Sequence, residues 1–175
     1  MVIFLGFSTC GSGKTYKEGD IVFQISKSSQ SPFIQYATGS VYSHCGVIVL
    51  KDNSPYVLEA SNVVKLPPLK QWIKRGRFEK ITSIRVLDND NVKIKYKKYL
   101  GKPYDLAFRF DNDKYYCSEL VYLIYKRQFG IELCKPKKLK EYNLTGIKGK
   151  AKKRGMDMNQ LVVAPVDILN TNLKH

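Results

Sequence analysis

Residues 44–60 read His44-Cys-Gly-Val-Ile-Val-Leu-Lys-Asp-Asn-Ser-Pro-Tyr-Val-Leu-Glu-Ala60 and predict a β-hairpin. Its two arms, Cys45–Leu50 and Tyr56–Ala60, consist largely of β-branched, aromatic and other apolar residues, which favour strands. Asp, Asn, Ser and Pro lie between the arms, and these residue types form turns. The hairpin therefore provides two adjacent strands around which the remaining elements can be arranged.

The register of this hairpin decides whether two polar side chains meet. If Leu50 pairs with Pro55, then His44 and Glu59 lie on one face as diagonal neighbours, roughly 7–8 Å apart at the backbone. A carboxylate on an apolar strand is costly unless it has a partner, and the imidazole supplies one. A slip of one residue would turn Glu59 to the opposite face, so the predicted contact depends on this register.

Further elements are predicted on both sides of the hairpin. Strands are predicted at Asp20–Gln24, Val63–Leu66, Ile81–Leu87 and Leu161–Ala164. Helices are predicted at Ser29–Thr38, from Pro67 through Trp72 to an end near Gly76, at Asn89–Leu100 and at Ser118–Phe129. Strands that cluster in hairpins, with helices around them, indicate an α+β fold rather than a parallel sheet.

Cys117 stands at the first turn of the helix predicted at Ser118–Phe129. The positive end of a helix favours the thiolate, and the free N–H groups there can bind an oxyanion. The alternative is a buried cysteine in a core helix, which is common. A catalytic thiol needs an imidazole partner, and the chain has two histidines, His44 and the C-terminal His175. We therefore expect Cys117 as nucleophile, His44 as base and Glu59 as the residue that orients His44.

Seven blocks of this sequence, in order, resemble the YiiX-like permuted papain-fold amidases, which are relatives of the NlpC-type cell-wall peptidases. The blocks are Gly19–Gln24, Ser26–Gln30, Tyr42–His44, Tyr56–Ala60, Pro68–Ile73, Gly101–Asp105 and Tyr116–Glu119. The permuted group has its histidine, acidic residue and cysteine in that order, as this chain does. The resemblance implies a papain-like fold, with a small antiparallel β-barrel or sheet packed on the cysteine-bearing helix, in one domain spanning 18–175.

The resemblance also implies hydrolysis of an amide or ester bond in a small molecule, a peptide or a lipid. A cell-wall peptide and an acyl-amide lipid both remain open as substrates. Tyr42, Tyr104 and Tyr116 flank the predicted site and are candidates to line a substrate pocket, although tyrosine in a tight core is the commoner case. The contrasting hypothesis is a non-catalytic module that binds anionic envelope polymers or lipids.

The chain is strongly basic, with a net charge of +15 from 30 basic and 15 acidic residues. Nine of the basic residues lie between Lys135 and Arg154, with Glu141 as the one acid among them. Such a field favours an anionic membrane or cell-wall surface. No nucleic-acid motif accompanies it, so nucleic acid is not an expected partner. A solvated basic face is the simpler interpretation of this segment, and the oligomeric state stays open.

Neither a metal nor a cofactor is expected from the local motifs. The four cysteines form no CxxC pair, and two histidines do not provide the usual zinc spacing. Residues 8–15 resemble a phosphate loop, but Ser8 stands in place of its first glycine and no helix is predicted to follow. A nucleotide-binding phosphate loop is therefore not predicted.

The N-terminus leaves the cellular location open. Residues 7–11, Phe-Ser-Thr-Cys10-Gly, resemble a loose lipobox, which would make 1–17 a signal and lipoprotein tether. No basic region precedes the short apolar stretch, however, so a simple first strand remains the alternative. An envelope location, periplasmic or lipid-anchored through Cys10, and a cytoplasmic one are therefore equal alternatives.

Overall fold

The computed structural model describes residues 15–174. The predictions for the phosphate loop, for Cys10 and for His175 lie outside these residues. Among the described helices, none is both long enough and apolar enough to cross a membrane.

A five-stranded antiparallel sheet forms the centre of the fold, in the order β4-β3-β2-β1-β5. Its strands are β1 (Ile21–Ser26), β2 (His44–Lys51), β3 (Ser54–Ala60), β4 (Val64–Lys65) and β5 (Gly76–Ile84). Leu50 pairs with Pro55 across the β2–β3 hairpin, so the predicted register is confirmed. The sheet ends in β4 on one side and β5 on the other, and the predicted barrel is therefore an open sheet.

Five helices accompany the sheet in the described range. They are α1 (Ser31–Thr38), α2 (Leu69–Arg75), α3 (Cys117–Phe129), α4 (Lys148–Lys153) and α5 (Pro165–Leu169). A second, two-stranded sheet pairs β6 (Lys137–Lys138) with β7 (Leu161–Val162). The α+β class predicted from the sequence is confirmed.

Alternation along the strands buries both faces of the large sheet. Phe23 and Val47 point to one face, where they pack in the cluster that contains the buried residues of α3. Val22 and Ile48 point to the opposite face and pack against Trp72 of α2. Because β1 and β2 are apolar on both sides, α2 and α3 are fixed on opposite faces of the same two strands.

Helix α3 begins and ends where its sequence predicts. The Glu119 carboxylate accepts the N–H of Tyr116 at 3.4 Å, which caps the first turn. Gly130 closes the helix in the left-handed conformation, at φ 69°, where a side chain would be strained. Cys117 is consequently the first helical residue.

The helix predicted at Asn89–Leu100 is wrong. The segment is irregular apart from one 3-10 turn at Lys97–Tyr99. Val92 and Ile94 are buried while Lys93 is exposed, which is the alternation of an extended chain. The Glu18 carboxylate accepts the N–H of Ile94 at 2.9 Å, a bond that takes the place of a helical one.

The bounds of the predicted strands differ from the observed ones, most of all at β5. The strand predicted at Ile81–Leu87 begins earlier, as β5 at Gly76, and ends at Ile84. The late strand predicted at Leu161–Ala164 is reduced to the two residues of β7. Beyond them, the backbone N–H and C=O of Val163 bond to side chains near the start of α3 instead of to a strand.

Candidate active site

His44 and Glu59 are in contact at one end of the β2–β3 hairpin. His44 begins β2, Glu59 lies near the end of β3, and His44 Nε2 is 2.6 Å from Glu59 Oε2. The Glu59 side chain is 1% exposed and that of His44 is 12% exposed. A bond of this length between buried groups fixes both the orientation and the tautomer of the imidazole.

Two residues of α2, which sequence analysis did not identify, complete the surroundings of Glu59. Trp72 Nε1 donates to Glu59 Oε2 at 2.8 Å, and an Arg75 guanidinium N–H donates to Oε1. The Trp72 ring also stacks on the His44 ring, with centroids 5.8 Å apart. Their spacing was the one signal in the sequence that could have indicated them, because residues three apart on a helix lie on the same face.

These partners keep the Glu59 carboxylate charged. Burial alone raises the pKa of a carboxyl group. Here the hydrogen bonds and charges of His44 and Arg75 outweigh burial and lower the pKa of Glu59 to about 2. Glu59 therefore presents a negative charge to the imidazole throughout the physiological pH range.

Cys117 lies close enough to the His44 ring for each group to shift the pKa of the other. Since Nε2 is occupied by Glu59, Nδ1 is the ring nitrogen left to interact with the sulfur. Burial acts to lower the pKa of His44, but Cys117 and Glu59 raise it to about 10. These shifts favour a thiolate–imidazolium pair.

Cys45 contributes to this pair, although strand alternation turns it away from its neighbour His44. It lies close enough to Cys117 to shift the pKa of that thiol. Cys45 lowers the pKa of Cys117, burial raises it and His44 lowers it, so that the pKa lies well below its ordinary value. Burial and the neighbouring sulfur raise the pKa of Cys45 itself.

The start of α3 is anchored to Val163, which holds Cys117 in place. Ser118 Oγ donates to the Val163 carbonyl at 2.7 Å, and the Tyr116 hydroxyl accepts the Val163 N–H at 3.1 Å. Cys117 is 1% exposed. The first N–H groups of a helix have no partner within it, so those beside Cys117 can stabilise the oxyanion that forms when a sulfur attacks a carbonyl group.

Two cavities of different character flank the Cys117–His44 pair. The apolar cavity, of about 50 Å³, is lined by Cys117 and by side chains that include Phe33, Phe108 and Leu139. The polar cavity, of about 280 Å³, is lined by His44 and mainly by serine, glutamine and asparagine side chains. The reacting pair therefore lies between an apolar and a polar compartment.

The three tyrosines predicted to flank the site have different positions. Tyr104 lines both cavities. Tyr116 lines the apolar cavity but is 3% exposed, and its hydroxyl is bonded to Val163. Tyr42 lines neither cavity, because its hydroxyl is bonded to Thr82 of β5. The structure thus brings Tyr104 and Tyr116 to the site and leaves Tyr42 apart from it.

The sequence model of the permuted papain-like amidases, the YaeF/YiiX or C92 family, matches residues 15–172. The chain belongs to this family. It is therefore a cysteine hydrolase of the amidase type. The protein YiiX of Escherichia coli (strain K12) is 42% identical over 158 residues, covering 84% of this chain and 78% of YiiX.

A crystal structure of yiiX from Escherichia coli O157:H7 has the same fold as this family member. The TM-score is 0.84 at 38% sequence identity, over 93% of this chain and 96% of the other. That protein is described as a metalloprotein. Within residues 15–174 of this chain, no three His, Cys, Asp or Glu side chains come together in a group fit to hold a metal.

Proposed function

We propose that this amidase cleaves an amide or ester bond whose acyl part is apolar, with Cys117 as nucleophile, His44 as acid and base, and Glu59 as the residue that orients His44. One observation supports this most strongly. The Cys117 thiol, whose pKa is lowered by the neighbouring His44, also lines an apolar cavity. Of the two substrates that the sequence leaves open, an acyl-amide lipid fits such a cavity better than a cell-wall peptide does, because a polar peptide would lose hydrogen bonds there.

The reaction proceeds in two steps. The Cys117 thiolate attacks the carbonyl carbon, and N–H groups at the start of α3 stabilise the oxyanion. The C–N or C–O bond then breaks as the His44 imidazolium gives its proton to the leaving atom, which forms a thioester. His44 next takes a proton from water, the hydroxide attacks the thioester, and the acid leaves. Glu59 keeps Nδ1 directed at the sulfur throughout.

Hydrolysis of p-nitrophenyl octanoate tests this function. We expect Cys117→Ala to lower kcat/KM by roughly 10³-fold or more, as the loss of a nucleophile does. The matched control is Cys134→Ala, which we expect to keep full activity. The wild-type protein should also prefer the octanoate to the acetate ester. Equal turnover by Cys117→Ala and the wild type would exclude Cys117 as the nucleophile.

Thiol labelling tests the same assignment without a substrate. We expect iodoacetamide near pH 7 to modify Cys117 before Cys134, because burial, the Asp167 charge and other neighbours raise the pKa of Cys134 to about 12. His44→Ala should slow the labelling of Cys117. Peptide mapping by mass spectrometry reads out the order. Labelling of Cys134 first, with no effect of His44→Ala, would identify Cys117 as a structural thiol.

We also propose that the basic segment Lys135–Arg154 draws the enzyme to an anionic envelope surface. The segment borders the site, since its Leu139 and Tyr142 line the apolar cavity. The four lysines at positions 148, 150, 152 and 153 are exposed on or beside α4. Changing all four to glutamate should abolish sedimentation with phosphatidylglycerol vesicles at low salt. The matched control changes the exposed lysines at 93, 95, 97 and 98 to glutamate. Equal loss of vesicle binding in both variants would show that net charge, and not the segment Lys135–Arg154, causes the binding.

A further inference from the structure

We propose that the polar cavity is the leaving-group subsite and that it takes a neutral amine or alcohol bearing hydroxyl groups; this inference rests on the proposed function. The apolar cavity is lined by Cys117 and not by His44, and the polar cavity by His44 and not by Cys117. Tyr104 and Ile34 line both, so the two cavities are adjacent. Because His44 must protonate the leaving atom, the leaving group lies on the His44 side.

The lining of the polar cavity selects for an uncharged group. Apart from His44, the side chains that line it carry no charge. The positive charge of His44 is balanced by Glu59 and by the Cys117 thiolate. A leaving group with a carboxylate would lose water there without gaining a cation, which is costly. Hydroxyl groups, in contrast, can exchange water for serine and asparagine side chains at little cost.

Some of these side chains hold the cavity wall and others are available to a ligand. Ser43 Oγ accepts the N–H of Ser26 at 3.0 Å and lies 2.5 Å from Ser31 Oγ, so this group is already bonded. The side chains of Ser29 and Asn62 line the same cavity and, in the described part of the chain, make no hydrogen bond. Water occupies about 30 Å³ in the liquid, so about 280 Å³ accommodates a small branched diol.

The chemistry is balanced with water as the second reactant. Attack by the thiolate and protonation of the leaving nitrogen release a neutral amine into the polar cavity. The acyl group stays on the sulfur with the first carbons of its chain in the apolar cavity. Once the amine departs, water enters beside His44, and its attack restores the thiolate–imidazolium pair. The net reaction is amide plus water to carboxylic acid plus a hydroxylated amine.

Three octanoyl amides that differ only in the leaving group test the inference. Their amines are serinol (2-amino-1,3-propanediol), isopropylamine and serine. Serinol is isopropylamine with two added hydroxyl groups, and serine has a carboxylate in place of one hydroxymethyl group of serinol. We expect kcat/KM to decrease from the serinol amide to the isopropylamide and then to the serine amide, which is N-octanoylserine. Each hydrogen bond that the leaving group gains should raise kcat/KM by roughly 2–10-fold. Liquid chromatography of released octanoic acid measures the rates.

Variants at Asn62 test whether the polar cavity causes the preference for the serinol amide. Asn62→Leu should reduce the preference for the serinol amide over the isopropylamide by roughly 2–10-fold, the effect of one hydrogen bond. Asn62→Arg should raise the rate for the serine amide, because it supplies the missing cation. The matched control is Asn91→Leu, another exposed asparagine, which lines a cavity beside Arg127 and Gln128 near the opposite end of α3. We expect it to leave the order and the rates unchanged.

The outcomes separate this inference from the proposed function. If the wild type hydrolyses p-nitrophenyl octanoate in a Cys117-dependent way but treats the three amides alike, the leaving-group subsite is wrong and the proposed function stands. Asn62 variants that leave the ratios of the three rates unchanged also overturn the subsite. Failure to hydrolyse p-nitrophenyl octanoate overturns both. The expected order in the wild type, with the expected shifts in Asn62→Leu and Asn62→Arg, supports both.

Discussion

Glu59 and Glu119 are both buried and both belong to the elements that hold the site, yet their pKa values move in opposite directions. Glu59 is 1% exposed and Glu119 is 0% exposed. Glu59 meets an imidazole, an indole N–H and a guanidinium, and its pKa falls to about 2. Glu119 accepts backbone N–H groups of Asp111 and Tyr116, at 2.6 and 3.4 Å. Burial outweighs these bonds and raises the pKa of Glu119 to about 8.

The difference shows that burial alone does not decide the charge of a carboxyl group. A cationic partner compensates for lost hydration, whereas backbone dipoles compensate for part of it. The carboxylate that contacts His44 has such partners, and the one that caps α3 accepts backbone N–H groups. Under the proposed function, Glu59 must stay charged to orient His44, whereas Glu119 needs no charge to cap the helix.

Replacing each glutamate by glutamine tests this division most strongly. We expect Glu59→Gln to lower kcat/KM by roughly 10²–10⁴-fold, because a neutral amide does not stabilise the imidazolium. The alkaline limit of the pH–rate profile, set by the pKa of His44 at about 10, should move to lower pH. Glu119→Gln should change kcat/KM by less than about tenfold, since it retains one of the two accepting oxygens and does not contact His44. Equal losses of kcat/KM in the two variants would show that the two glutamates do not differ in their roles.

The pH dependence of stability should differ for the two groups. Glu59, with its pKa lowered from 4.5, stabilises the fold above pH 4.5, and this contribution is lost as the pH falls toward 2. Glu119, with its pKa raised from 4.5 to about 8, stabilises the fold below pH 4.5, and this contribution is lost as the pH rises toward 8. Each slope is at most about 1.4 kcal/mol per pH unit.

Urea unfolding between pH 4.5 and 8 measures the second slope. We expect Glu119→Gln to remove the decline of the unfolding free energy that Glu119 causes across this range. Lys17→Met, an exposed change far from the site, is the control and should keep the decline. A wild-type profile identical to that of Glu119→Gln would show that Glu119 titrates at its ordinary pKa.

Trp72→Phe gives the smallest of the expected effects. It removes the 2.8 Å hydrogen bond to Glu59 and keeps an aromatic ring beside His44. A hydrogen bond to a charged group contributes about 1.5–3 kcal/mol, so we expect a loss of stability of that order and a smaller loss of kcat/KM than in Glu59→Gln. Thermal unfolding and the octanoate assay measure the two. An unchanged Tm would mean that the indole N–H contributes nothing to Glu59.

The sequence predicted local features best where the pattern and the contacts agree. The hairpin register followed from the turn residues and from the apolar arms, and it placed Glu59 beside His44. Helix α3 followed from its apolar spacing and from Gly130. Asn89–Leu100 was predicted wrongly because its composition suits a helix, while Glu18, about 75 residues earlier in the chain, binds the Ile94 N–H. Such a distant partner cannot be read from a local window.

By itself, the sequence determined the order of His44, Glu59 and Cys117, the strands that carry the first two and the helix that begins at the third. Those features depend on alternation, turn chemistry and helix capping, which act between near neighbours. Only the tertiary structure decided that Trp72 and Arg75 hold Glu59, that Cys45 lies near Cys117, and that an apolar and a polar cavity flank the pair. Those contacts join elements distant in sequence, and their energies depend on burial and orientation that arise only when the two faces of the sheet are covered.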